Sequence, residues 1–416
     1  MSGLAERLKH KRIVIWGTGN TGHAFYQEYR DKISLSVCTS SEENPKPIAG
    51  MEVVEYRDLD KNKDFIVICS IYYETIMRRL FADGWMPGRD YLRSDLFNAE
   101  YEAANGKKLI VTIGRCHIWR ISSVLNCLSQ FREKYTIVHF DQPKVCMSEN
   151  EFHYMESAEC MEMLANADIL LRPATVMLKL NHDYEYLQNK LPEKGRVIAI
   201  SLPVFGSYWP QDTGKERQMA KWYVSPYGKN LKAFGEKDNV IEKLIESGKS
   251  KREIIDIISD ADYFDREQVL QNHSQTMTRA YFWDRIADIK IADFIEENYQ
   301  TIKLYCDRGH LHYNLLKEYV RRFLTALQEE ECIEQCEKID WEAFETGLSA
   351  PTDSLIYPST AKILGLGFVN ENTLYRFQLA DQTKFVTFRE GLEMQTEYYM
   401  RARKLLEMCY VDRSQV

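Results

Sequence analysis

The chain has 416 residues, a length that indicates two or three domains. Its composition, with 44% hydrophobic and 28% charged residues, is typical of a globular protein with its own core, and a net charge of −8 argues against general nucleic-acid binding, which needs a basic face. Ten cysteines without a Cys-x-x-Cys pair predict mostly buried thiols, with neither disulfides nor a metal site.

The N-terminal segment, residues 1–12, is polar and charged and lacks the apolar centre of a signal peptide. No run of about 18 apolar residues occurs further along the chain. We therefore expect a cytoplasmic protein without a membrane span.

A small Rossmann-like module is predicted over residues 1–104. Its strands are predicted at 12–16, 35–37 and 65–69. Gly17, Gly19 and Gly22 follow the first strand with the spacing of a dinucleotide-binding turn, where glycines let the backbone approach a pyrophosphate. The second strand, however, has no acidic residue at its end to hold a ribose. We expect NAD to bind weakly or not at all, and a nucleotide or sugar-nucleotide ligand is left open beside a purely structural role.

A second α/β domain is predicted over residues 105–332, so the chain would hold two doubly wound parallel-sheet domains. The strands of this second sheet are predicted at 109–113, 135–140, 168–171, 196–200 and 302–306. Strands that alternate with helical stretches indicate parallel pairing with right-handed crossovers. A helical insertion is expected at about 212–298, and residues 333–416 are predicted to form a C-terminal extension packed on this domain.

Two short motifs follow strands of the second sheet. Gly114-Arg115-Cys116-His117 ends the first strand, and a nucleophile after a tight glycine turn is exposed at the edge of an α/β sheet. Asp307-Arg308-Gly309-His310 follows the last strand, and an Asp-x-x-His can supply a base and the carboxylate that orients it. The sequence therefore predicts a Cys116–His310–Asp307 relay at the carboxyl edge of one sheet.

The residues around these motifs have structural alternatives. Cys116 could be a buried thiol, and His310 could cap a helix. His117 is predicted to contact substrate, to act as a second base beside Cys116, or to be an ordinary first-turn residue with its ring hydrogen-bonded to backbone. Arg115, Arg308 and Arg172 follow predicted strands and could together bind the phosphates of a ligand, although surface arginines are more often simply solvated.

Four segments resemble the WcbI family, whose members are regarded as acyltransferases of capsule and surface-polysaccharide synthesis. They are 114–117, 202–210, 304–310 and the pair Tyr357-Pro358-Ser359 and Leu364-Gly365-Leu366. That family is similar in fold to the SGNH hydrolases, in which the nucleophile follows the first strand. The resemblance implies coenzyme A or acetyl-CoA as the acyl donor and Cys116, His310 and Asp307 as the catalytic residues. Gly114, in the turn before the nucleophile, is expected to contribute to substrate or cofactor binding.

The expected function is acyl transfer, acetyl for example, to a small-molecule or polysaccharide-precursor sugar. The same relay would serve an esterase or deacetylase. A third alternative is a non-catalytic scaffold or sugar-nucleotide-binding protein, since Arg115 and His117 stand where the family has Asn and Gln. A homo-oligomer is left open.

Overall fold

The structure is a computed structural model that describes residues 4–41, 46–142, 151–174, 184–211, 238–347, 352–379 and 382–411. It divides into two compact units, Met1–Ala199 and Ile200–Val416. The first part of the predicted insertion, residues 212–237, lies outside the described residues. Across the described ranges, no helix combines the length and apolar character that a membrane crossing requires.

The first sheet of the first unit contains five parallel strands. They are β1 Arg12–Trp16, β2 Leu35–Thr39, β3 Glu52–Val53, β4 Asp64–Ile68 and β5 Tyr91–Arg93, in the order β3-β2-β1-β4-β5. Ile15 of β1 lies opposite Cys38 of β2 and Val67 of β4. All three residues are buried, as expected for the central strands of a sheet covered on both faces.

The second sheet contains four strands, again parallel. They are β6 Lys108–Gly114, β7 Tyr135–Asp141, β8 Ile169–Pro173 and β9 Arg196–Ile200, in the order β7-β6-β8-β9. Ile110 of β6 lies opposite Ile137 on one side and Ile169 on the other. The mixed α/β class with two parallel sheets, predicted from alternating strand and helix patterns, is confirmed.

Eight helices connect and cover these strands within the described part of the first unit. They are α1 Leu4–Leu8, α2 Asn20–Tyr29, α3 Tyr73–Ala82, α4 Ser94–Ala104, α5 Cys116–Cys127, α6 Ser129–Lys134, α7 Glu151–Leu164 and α8 Tyr184–Gln188. Helix α4 buries Leu96, Phe97 and Ala99 and contacts strands of both sheets. A single apolar cluster therefore includes Val67 of the first sheet and Val111 of the second.

The second unit is mostly helical. Its described helices are α9 Asn239–Glu246, α10 Lys251–Ile258, α11 Arg266–Asp284, α12 Ala292–Asn298, α13 Tyr313–Leu327, α14 Glu330–Glu337, α15 Trp341–Gly347, α16 Pro358–Leu364 and α17 Phe388–Val411. Two antiparallel hairpins accompany them: β10 Tyr305–Asp307 with β11 His310–Leu311, and β12 Tyr375–Gln378 with β13 Thr383–Val386.

The strand predicted at 302–306 as a member of the parallel sheet is therefore wrong. Residues 305–307 form β10, which pairs antiparallel with β11 and with no other assigned strand among the described residues. The Asp307 carboxylate accepts hydrogen bonds from the backbone N–H groups of Gly309 and His310, which stabilises a two-residue turn. A turn of that length reverses the chain, whereas a parallel neighbour would need a long crossover.

Candidate functional site

Cys116 lies at the junction of β6 and α5. The strand ends at Gly114, Arg115 has an extended backbone at the N-cap, and Cys116 is the first helical residue. A side chain at position 114 would place its Cβ 2.4 Å from Cγ1 of Ile118, so only glycine allows this close approach of strand and helix. The turn leaves Cys116 exposed at the positive end of a 12-residue helix, where an anion is favoured.

A second cysteine, Cys306, lies within the other motif but is chemically different. It is fully buried in β10, and Nη2 of Arg376 lies 3.8 Å from its sulfur. Burial raises the pKa of the Cys306 thiol well above its usual range. Since the thiolate is the reactive form, Cys116 and not Cys306 is the more accessible thiol of the two motifs.

Asp307 and His310 form the pair that their spacing predicts. Oδ2 of Asp307 lies 2.7 Å from Nδ1 of His310, while Oδ1 accepts the backbone N–H groups of Gly309 and His310 at 2.8 Å each. The carboxylate is buried, and 38% of the histidine side chain is exposed. A carboxylate held in this way fixes the orientation of the ring, as a general base requires.

The alternative role of His310 as a helix cap is filled by another residue. His312 is the N-cap of α13, and its side chain accepts a hydrogen bond from the backbone N–H of Asn314. His310 instead lies in β11, opposite Asp307. Cys116 belongs to the first unit and the Asp307–His310 pair to the second, so the relay that joins the three residues stays a prediction.

The remaining predicted residues differ in their exposure and in the hydrogen bonds that they already make within the protein. Arg115 is exposed beside Cys116, and His117 is half-buried in the first turn of α5. Arg172 donates from Nε to Oε1 of Gln188 at 2.6 Å and from Nη1 to the carbonyl of Pro173 at 2.8 Å. The carbonyl of Arg308 accepts the backbone N–H of Phe205 at 3.0 Å. Arg172 therefore has fewer donors left for a phosphate than Arg115, and the predicted three-arginine site stays a prediction.

The glycine turn after β1 has the steric pattern of a nucleotide-binding turn. Gly17 has a φ of 122°, and a Cβ there would lie 2.4 Å from the carbonyl oxygen of Cys69. A Cβ at Gly22 would lie 1.9 Å from the carbonyl oxygen of Gly17. Gly19, the N-cap of α2, has nothing within 4 Å of such a Cβ. Gly17 and Gly22 therefore allow close packing of backbone against backbone, whereas Gly19 leaves the N-terminus of α2 sterically accessible.

A cavity in the first unit was not predicted from the sequence. It has a volume of about 510 Å³ and is lined by residues from both sheets, among them Arg93, Trp119, Ser122, Asn126, His139 and Glu156. One signal was present: His139 interrupts the apolar run of Ile137, Val138 and Phe140, and a polar side chain in such a run needs a hydrogen-bond partner or indicates a function.

Buried charges surround this cavity. Arg93 donates from Nη2 to Asp95 at 2.9 Å and lies 3.5 Å from Glu156 through Nη1. Burial and the nearby charge of Arg93 together lower the pKa of His139 to about 4, so the ring is neutral at pH 7. Burial also raises the pKa of Glu159 to about 8, although Arg93 opposes the rise. Neither carboxyl oxygen of Glu159 has a hydrogen-bond partner among the described residues.

Comparisons with known proteins add a family and a fold. A family model described as the polysaccharide biosynthesis enzyme WcbI matches residues 110–331. A solved structure of WcbI, described as the native protein without a disulfide bond between coenzyme A and one of its cysteines, is 17% identical with a TM-score of 0.51. The match covers 71% of this chain and 90% of that one, and at this identity it shows a shared fold. No curated protein matches the chain significantly in a sequence search.

Proposed function

Because the chain belongs to the WcbI family of polysaccharide biosynthesis enzymes, we propose that it transfers an acyl group, such as acetyl, to a sugar of a cell-surface polysaccharide precursor. The observation that carries this proposal is the exposed thiol of Cys116 at the first residue of α5, directly after β6. An accessible thiol at the end of a parallel strand is suited to nucleophilic attack on an acyl carbonyl.

The Asp307–His310 pair supplies the proton chemistry in this proposal. His310 accepts the thiol proton as Cys116 attacks the acyl carbonyl, and it returns that proton to the departing thiolate of the donor. The same ring then takes the proton of a sugar hydroxyl, whose attack breaks the Cys116 thioester, and returns it to the restored thiol. Asp307 holds Nδ1 through its 2.7 Å contact in both steps. Backbone N–H groups at the start of α5 are suited to stabilise the oxyanion, and each such donor in a tuned site contributes about 3–4 kcal/mol.

Coenzyme A fits the residues around Cys116. Its phosphates require cationic and N–H donors, and the exposed Arg115 and the start of α5 supply both next to the thiol. When bound as its acylated form, such as acetyl-CoA, it would supply the acyl group as an activated thioester. The description of the solved WcbI structure, which concerns a disulfide between coenzyme A and a cysteine, supports the same donor for this chain. NAD is not part of the proposal, because no acidic residue ends β2.

The test is release of free coenzyme A from acetyl-CoA in the presence of candidate acceptor sugars, measured on the full chain. We expect acceptor-dependent release by the wild type and loss of release in Cys116→Ala and His310→Ala. The matched control is Cys127→Ala, which removes another exposed thiol at the opposite end of the same helix.

Two outcomes would contradict the proposal. Full activity in Cys116→Ala would remove the nucleophile. Release that is equally fast without any sugar would replace transfer by hydrolysis, the alternative that the same relay allows.

A further inference from the structure

The cavity of the first unit lies where ligands bind in open α/β sheets. Ser70 follows β4, Arg93 ends β5, and Ser94 and Asp95 begin α4, so the carboxyl ends of two parallel strands form one wall. Edge strand β7 of the second sheet and helix α5 form another. Ser70 is also 3.6 Å from a Cβ built on Gly17, so this wall continues into the glycine turn.

The charged residues that line the cavity indicate which class of ligand it disfavours. Asp95, Asp141 and Glu156 are three carboxylates, against the single guanidinium of Arg93, and His139 carries no charge at pH 7. The lining is therefore net negative. A phosphate or pyrophosphate would meet like charge in a confined space, which costs free energy. Nucleotides and coenzyme A are thus poor candidates for this cavity.

The uncharged part of the lining favours a ligand rich in hydroxyl groups. Trp119 is 41% exposed and Ile71 is 78% exposed at the rim, which gives a flat apolar surface for the C–H face of a sugar ring. Asn126 offers donors and an acceptor, and the carboxylates accept hydrogen bonds from hydroxyls. A neutral sugar satisfies both kinds of surface, whereas a purely apolar ligand would leave the buried Arg93–Glu156 pair against hydrocarbon.

Helix α5 connects this cavity to the thiol. Cys116, Trp119, Ser123 and Asn126 follow one another at intervals of three or four residues, so they share one side of the helix. Trp119 is three residues after Cys116, a rise of about 4.5 Å along the axis. A sugar stacked on Trp119 would lie within about one helical turn of the nucleophile.

We propose that this cavity binds a neutral glycosyl unit, the acyl acceptor of the reaction, with Trp119 as the stacking residue and Asn126 and the Asp95 and Glu156 carboxylates as hydrogen-bonding groups. This inference rests on the proposed acyl transfer for the role of the sugar. Binding itself needs neither the acyl donor nor Cys116, so it can be tested separately.

The experiment measures binding by saturation-transfer NMR on the full-length Cys116→Ala protein without acyl donor. The probes are the methyl glycosides of glucose, galactose, mannose and N-acetylglucosamine, with uridine diphosphate as the anionic comparison. We expect at least one glycoside to bind, and its Kd to rise about fivefold or more in the additional variants Trp119→Ala and Asn126→Ala. Phe282→Ala, which removes another exposed aromatic side chain from α11, should leave the Kd unchanged.

Three outcomes would overturn the inference. They are absence of binding by all four glycosides, binding that is unchanged in both Trp119→Ala and Asn126→Ala, and binding of uridine diphosphate that depends on Trp119 in the same way. Kinetics then separate the two proposals. If the wild type acetylates a sugar and Trp119→Ala does so with an unchanged KM for that sugar, the acyl transfer stands and the cavity assignment fails.

Discussion

Two strand-to-helix turns in the first unit have the same topology and opposite chemistry. The turn between β1 and α2 uses Gly17 and Gly22 to bring backbone against backbone, and it presents bare peptide groups at Gly19. The turn between β6 and α5 uses one glycine, Gly114, and presents the thiol of Cys116. A parallel strand followed by a helix can thus offer either N–H groups to an anion or a side chain to a substrate.

The difference is set by which atoms each glycine faces. Gly22 faces the carbonyl oxygen of Gly17, a backbone atom that cannot move without its strand. Gly114 faces Cγ1 and Cβ of Ile118; a rotamer change can move Cγ1, whereas Cβ moves only with a small shift of α5. The first turn is therefore fixed by the backbone itself, and the second by one side-chain contact behind an exposed reactive group.

The largest expected effect comes from Cys116→Ser. A hydroxyl replaces the thiol at an exposed position, so we expect acyl transfer to fall by a factor of about a thousand or more while the unfolding temperature stays unchanged. Thermal shift with coenzyme A should give the same stabilisation in variant and wild type, because phosphate contacts do not involve the sulfur. If the variant kept its activity, the turn between β6 and α5 would have a structural role only.

Gly22→Ala tests the first turn. Its Cβ would lie 1.9 Å from a backbone oxygen, so α2 must shift away from β1. We expect a loss of more than about 3 kcal/mol in unfolding free energy, measured by urea denaturation followed by circular dichroism. A loss below about 1 kcal/mol would show that α2 moves easily and that the turn is not fixed by its backbone.

Gly114→Ala should have a smaller effect. The added Cβ meets Cγ1 of Ile118 at 2.4 Å and its Cβ at 2.7 Å, contacts that a shift of one side chain and one helical turn can partly relieve. We expect about 1–3 kcal/mol of destabilisation in the same denaturation experiment. Activity should also fall, because a displaced α5 carries Cys116 with it; an active variant would show that the thiol position is not critical.

The smallest effect is expected from Gly19→Ala. Nothing lies within 4 Å of the new methyl group, so only the poorer fit of alanine at an N-cap remains, and stability should fall by no more than about 1 kcal/mol. Titration with uridine diphosphate and NAD on this variant and the wild type, by calorimetry, examines the open start of α2. Micromolar NAD affinity in the wild type would contradict the prediction that this turn lacks a ribose-binding partner.

The sequence patterns predicted those structural features that are determined by residues close together in the chain. The apolar runs of β1, β4 and β6 predict buried parallel strands, and the Asp-x-x-His spacing predicts the Asp307–His310 contact. The β10–β11 hairpin was missed, because a short apolar run has the same composition in either kind of pairing. The Arg93–Glu156 contact was also missed, since it joins residues 63 positions apart through tertiary packing.

The buried carboxyl of Glu159 couples folding of the first unit to the uptake of a proton. In the unfolded chain this group titrates near 4.5, and in the folded protein its pKa is raised to about 8, chiefly by burial, with Asp95, Glu156 and Glu162 adding to the rise and Arg93 opposing it. The stabilising contribution of the protonated form is therefore complete below pH 4.5 and is lost as the pH rises to about 8. Folding near pH 7 must bind a proton from solvent.

His139 acts in the opposite sense, because its pKa falls from 6.5 to about 4 on folding, so its contribution is lost as the pH falls through that range. Between about pH 4.5 and 6.5 the effects of Glu159 and His139 on the free energy of unfolding cancel. From about pH 6.5 to 8 only the effect of Glu159 remains, so stability declines. Glu159→Gln should remove that decline and raise the unfolding temperature by a few degrees at pH 8, with little change at pH 5. A fall in pH from about 8 to 6.5 therefore stabilises the first unit by proton uptake at a single buried carboxyl.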